Sequence, residues 1–132
     1  MAAVRLFVVD QADWHELTGG GQQTVRVAAA DLQQARRARA RIRAADDVAV
    51  ILDVTVSVAG DYRSARGALG SDPSSVQYAG TVDGLAGLLT DIEAAGVADG
   101  VTLISASPRQ DLRDLGRDVL ARMASRADRQ AC

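Results

Sequence analysis

Asp10, Asp13, His15 and Glu16 form the densest group of proton-transferring and metal-ligating side chains in the chain. A histidine beside carboxylates can act as acid and base near neutral pH or hold a cation. His15 is the single histidine, however, and no spacing here matches an established metal motif. No metal is expected, and a solvated loop is the plainer use of this cluster. Asp10 and His15 are the catalytic candidates. Trp14, the only tryptophan, suits a packing anchor better than a surface for stacking a planar ligand. Thr18-Gly19-Gly20-Gly21 offers backbone N–H groups of the kind that cradle phosphate. It precedes a strand pattern and lacks the Lys and Ser/Thr of a phosphate loop, so a flexible connector competes with that use. Thr18, Gly19, Gly20 and Ser105, the last at the end of an apolar run, are the cofactor-binding candidates. Gly80-Thr81 and Ser107-Pro108 open helix patterns and are anion sites in principle, although ordinary capping accounts for both.

The elements that must position these residues read as follows. Val4–Val9 is a strand, with Asp10 at its carboxyl end, and Gln11–Leu17 is expected to form one or two helical turns. Thr24–Ala28 is a second strand. Asp31 caps a helix running to about Ala45, with Leu32, Ala35, Ala38 and Ile42 inward and Arg36, Arg37, Arg39, Arg41 and Arg43 on the remaining faces. Val48–Ala59 is apolar at nearly every position, which points to burial on both faces of a parallel sheet, with a bend or bulge at Asp53. A short helical piece is expected over 60–69 and a loop over 70–75, and Val76–Ala79 is extended. Thr81 then caps a helix whose stripe is Leu85, Leu88, Leu89 and Ile92, Gly96 ends it, and Val101–Ile104 forms a strand. Ser107, Pro108 and Gln110 carry an N-cap signature for a last helix to about Arg126, with Leu112, Leu115, Val119 and Met123 on one face. Strands alternating with helices predict a parallel α/β sheet with right-handed crossovers, and four strands stand out.

The chain is 132 residues long, which predicts a single domain over 1–132. Aromatic residues make up 3%, so the core must be built from Val, Leu, Ile and Ala. Net charge is −2, with every basic side chain an arginine, and this balance gives no electrostatic case for nucleic acid. The one cysteine, Cys132, cannot form an internal disulfide. No signal-like start and no run of membrane-spanning length is present, so a cytoplasmic protein is expected.

The phrase from Tyr78-Ala79-Gly80-Thr81-Val82-Asp83-Gly84-Leu85 to Ala95-Gly96-Val97-Ala98-Asp99-Gly100-Val101-Thr102-Leu103, followed by Ser107-Pro108 and Asp111-Leu112, resembles the carboxyl end of the bacterial luciferase-like monooxygenase family. That family carries F-x-G-T-P-x-x-[VL]-A-x-x-L, then A-G-A-x-D-G-F-x-L, then a final helix. Val82 stands where the family has Pro, and Val101 where it often has Phe. Asp53–Ala59 and Asp31–Arg36 look like the family's preceding strand and helix. Where the family has a small-residue loop of the G-x-S-P-A-G kind, this chain has Gln11–Gly21.

The resemblance implies a parallel four-stranded half of a (β/α)8 TIM-like barrel, with FMN or F420 as cofactor. Four parallel strands do not close a barrel and leave open edges, so a homodimer, or a heteromer with a related half or full barrel, is expected to complete it. Two functions follow. One is a flavin- or F420-dependent oxidoreductase or monooxygenase, active only as an assembled oligomer. The other is a catalytically degenerate half-barrel that binds a ligand or stabilises a partner without turnover.

Overall fold

A computed structural model describes residues 4–10, 13–20, 23–58, 76–106 and 111–131 of the chain. In chain order the elements are β1 (Arg5–Asp10), β2 (Asp13–Glu16), β3 (Thr24–Val27), α1 (Leu32–Ala45), β4 (Ala49–Val58), β5 (Val76–Gly80), α2 (Val82–Ala94), β6 (Gly100–Ser105) and α3 (Leu112–Ala131). The strands form one six-stranded sheet in the order β2-β1-β6-β4-β3, and β5 also pairs with β4.

The sheet is mixed, which corrects the expected parallel four-stranded half-barrel. The cause lies in residues 13–16. Instead of helical turns, Asp13-Trp14-His15-Glu16 runs back antiparallel along β1, pairing Phe7 with Glu16 and Val9 with Trp14. Trp14 and Glu16 have partners on one face of the sheet, Asp13 and His15 on the other, and this period of two outweighs the weak helical pattern. The other pairings are parallel: β1 with β6, β6 with β4, and β4 with both β3 and β5. Val76–Ala79, expected only to be extended, is therefore, with Gly80, a full member of the sheet.

β4 is the central strand. Residues 51–56 pair with β6 on one side. Along its other side β3 pairs with 49–52 and β5 takes over at 54–58. Flanked so fully, β4 has little use for polar side chains, and residues 49–52, Val54 and Val56 are all essentially inaccessible. A bend or bulge is expected at Asp53 from the sequence; the ladder to β6 keeps register there, Asp53 pairing with Thr102, so it holds no bulge.

The three described helices contribute to one core on one face of the sheet. Leu6 and Val8 of β1, Leu52, Val54 and Val56 of β4, and Val101 and Leu103 of β6 pack with Ala35 of α1, Leu85, Leu89 and Ile92 of α2, and Leu112, Leu115 and Val119 of α3. Each fully buried aliphatic side chain here contributes about 1.5–3 kcal/mol relative to exposure. α2 is bounded as its sequence requires. The Thr81 hydroxyl accepts from Gly84 N–H at the start. At the end Gly96, at φ 69°, supports Schellman bonds from Gly96 N to Glu93 O and from Val97 N to Ile92 O. α1 has the expected cap, Asp31, which accepts from Gln34 N–H. The helical piece expected over 60–69 and the Ser107-Pro108 cap lie outside the described residues.

The opposite face is concave. β2 and β3 sit at the two ends of the strand order, about 19 Å apart in a flat sheet. Yet the Arg26 guanidinium of β3 lies 5.4 Å from the Trp14 ring centroid of β2. The sheet must therefore curl, bringing its two edges toward one another over the residues between them.

Candidate functional site

At the amino-terminal end of the concave face, β1 and β4 supply Phe7, Ala49 and Ile51, a small apolar cluster against which Trp14 packs. Phe7 and Trp14 stack with centroids 4.4 Å apart and planes 10° from parallel. The Trp14 Nε1–H donates to Thr102 Oγ1 at 2.9 Å, so the polar edge of the indole is satisfied by a hydroxyl that is itself fully buried. Arg26 lies over the same indole and forms a two-pronged pair with Asp53, Nε to Oδ1 and Nη2 to Oδ2, both at 3.1 Å. Gly100 belongs to this packing, because a Cβ there would come within 2.5 Å of Arg5 O and 2.8 Å of Ile51 Cδ1.

A second two-pronged pair flanks the stack. Arg5 donates from Nε to Glu16 Oε2 at 2.8 Å and from Nη2 to Oε1 at 2.6 Å, and both side chains are about 15% exposed. The Thr18 hydroxyl donates to Glu16 Oε2 and accepts from Leu6 N–H. Hydrogen bonding from Arg5 holds the Glu16 carboxyl below its ordinary range, aided by Thr18 and by the Arg5 charge, against the opposing effect of burial.

The residues singled out by the sequence thus converge only in part: Glu16, Thr18 and Gly20 meet at Arg5. Strand alternation separates Glu16, on the concave face, from His15, whose partner Val8 belongs to the helix-covered face. His15 Nε2 stands 3.9 Å from Asp13 Oδ2, with 42% and 76% of the two side chains exposed. Asp10 ends β1 in register with Asp13. Thr18 is committed to Glu16 and to β1, and Gly20 lies against the Arg5 guanidinium. Gly19 takes φ 76° with open space around it. Ser105 pairs with Val56 and shares that residue's side of the sheet, away from the concave face. Among the described residues, no three His, Cys, Asp or Glu side chains are grouped as a metal would require.

Arg5, Arg26, Asp53 and Thr102 complete the concave site around Trp14 and Glu16, and the sequence did not mark these four as site residues. The available signal was polarity against pattern: Asp53 breaks the most apolar run in the chain, and Arg26 does the same in β3. Beyond the Trp14 stack, toward the carboxyl ends of the strands, the register places Thr55, Ser57 and Gln77 on the same concave side.

Chemically, the arrangement is one of satisfied groups. Both carboxylates are held by arginines, and Thr102 already accepts the indole N–H. Among the described residues, no hydroxyl is paired with a histidine base. Hydrogen-bond recognition at the carboxyl-end rim is available to such a surface, and so is burial against another protein.

A second polar knot lies at the same amino-terminal end of the strands, on the helix-covered side of the sheet. Asp99, just before β6, accepts from Arg39 at 3.0 Å, Arg43 at 3.2 Å and the buried Val50 N–H at 2.9 Å. Burial raises the Asp99 pKa, but the Arg39 hydrogen bond, the Val50 N–H, the Arg39 charge and Arg43 together outweigh it, and the net shift is downward. This knot ties α1 to the sheet and is structural. Among the described residues, no helix is long and apolar enough to cross a membrane. No protein-family model matches the chain, and no curated protein matches it either.

Proposed function

We propose that this chain is a half-barrel without turnover of its own, acting in the cytoplasm as the partner-stabilising subunit of an assembly in which a second copy covers its open sheet. The observation that carries this reading is the occupied concave face. Where a barrel enzyme would keep a pocket, Phe7, Trp14 and Arg26 are stacked and the Arg26–Asp53 and Arg5–Glu16 pairs are closed. Asp13 and His15 lie on the other side of the sheet from Glu16. The edges favour a partner: β2 terminates one side of the strand order, and β3 and β5 share the other. Such edges pair with further strands unless covered.

The competing reading is a luciferase-like oxidoreductase that binds FMN or F420. It rests on the carboxyl-terminal phrase alone. Its candidate phosphate loop, Thr18–Gly20, lies against Arg5, which is already neutralised by Glu16. Light scattering on the purified chain, followed by fluorescence titration with FMN and with F420, separates the two. A dimer that binds neither compound supports the proposal. A stable monomer, or stoichiometric binding of either compound, overturns it.

A further inference from the structure

Away from the concave face, α1 and the turn before it enclose an open cleft of about 270 Å³, lined by Ala28, Ala29, Gln34, Arg37, Ala38 and Arg41. Residues 34, 37, 38 and 41 share one stripe of the helix, because positions three and four apart lie above one another. The arginines of α1 divide into two groups by partner. Arg39 and Arg43 turn inward to Asp99. Arg37 and Arg41 have no acidic partner among the described residues. Gln34 Oε1 accepts from Ala30 N–H, which leaves its amide N–H groups as donors. Asp31, the nearest acid in sequence, is turned to the helix cap and accepts from Gln34 N–H. The cleft walls therefore carry two guanidinium forks one turn apart and an amide, over a floor of alanine methyl groups.

We propose that this cleft binds a small phosphomonoester, its phosphate between Arg37 and Arg41 and its carbon portion over Ala28, Ala29 and Ala38. Two guanidinium side chains one turn apart on the same stripe offer several N–H donors side by side, which suits the several oxygens and double charge of a phosphate better than the two oxygens of a carboxylate. The volume is that of a small metabolite. The proposal is independent of the oligomer, because the cleft is built from one chain alone.

The test is a titration followed by backbone amide chemical shifts at constant ionic strength, with glycerol phosphate, inorganic phosphate and acetate as probes. Glycerol phosphate is expected to shift amides within 28–41 saturably, inorganic phosphate to bind at the same place more weakly, and acetate to have no saturable effect. Arg37→Gln with Arg41→Gln should weaken binding about tenfold, by loss of charge-assisted hydrogen bonds. Arg36→Gln, on the opposite side of α1, should leave it unchanged. Both arginines are exposed, and an unchanged spectrum outside 28–41 checks that the double variant folds; Arg41→Gln alone provides a milder version. Equal losses in the Arg36 and Arg37/Arg41 variants, acetate binding as well as phosphate, or shifts spread over the whole surface would overturn the proposal.

Discussion

Asp99 offers the sharpest measurement, because one carboxylate serves three donors from two elements. Replacing it by alanine leaves Arg39 and Arg43, which are 28% and 33% exposed and can turn to water. The Val50 N–H cannot do so, since Val50 is 1% exposed and this donor has lost its acceptor. An unpaired buried N–H costs about 1–3 kcal/mol, so this single group sets most of the loss. Adding a smaller share for the arginines gives about 2–4 kcal/mol for Asp99→Ala. At about 4 °C per kcal/mol for a domain of this size, Tm should fall by about 8–16 °C. Asp99→Asn keeps an oxygen that can accept from Val50 N–H and should cost about half as much. Urea denaturation of the two variants and the parent checks both figures. The depressed pKa adds a pH arm. Asp99 contributes its full stabilisation above the ordinary carboxylate range and loses it as pH falls through its lower folded value. Stability of Asp99→Asn should therefore depend less on pH across that window. An alanine variant within about 0.5 kcal/mol of the parent, or an asparagine variant as damaged as the alanine one, would refute the reasoning.

Glu16, held ionised by Arg5, follows the same sign: its contribution is present above the ordinary carboxylate range and fades as pH falls, so Glu16→Gln should flatten part of the acid limb of a Tm-against-pH curve. Gly84 should resist substitution even though alanine favours helices by about 1 kcal/mol, because a Cβ there strikes the Tyr78 hydroxyl. Gly84→Ala is expected to destabilise by about 1–2 kcal/mol alone and to become near neutral in a Tyr78→Phe background, a coupling that thermal denaturation of the four-member cycle measures directly.

The elements with strong local patterns were readable from sequence. Asp31 and Thr81 cap α1 and α2 as their types and positions require, Gly96 ends α2, and the apolar run of β4 is buried as a central strand must be. The topology was not readable. Asp13–Glu16 is four residues long and polar, and its return from β1 lacks the Asn-Gly or Asp-Gly signal of a tight hairpin. Asp53 looked like an interruption because a charge in a buried strand is costly, but Arg26 approaches from the neighbouring strand and supplies what the local sequence does not. The concave site was hidden for the same reason. Trp14, Thr102, Arg26 and Asp53 come from four different strands, and only the curl of the sheet makes them neighbours.

The place of β6 in the strand order also bears on how the chain is made. β6 lies between β1 and β4, and its first residue, Gly100, pairs with Arg5 at the other end of the chain. On a ribosome, β1 with β2 and β4 with β3 and β5 therefore emerge as two sheet pieces with no strand pairing between them, each exposing the strand edge that β6 will later fill. The centre of the sheet is completed late, after a long stretch of synthesis with an apolar seam exposed. Non-local pairing of this kind slows folding and leaves nascent chains prone to associate.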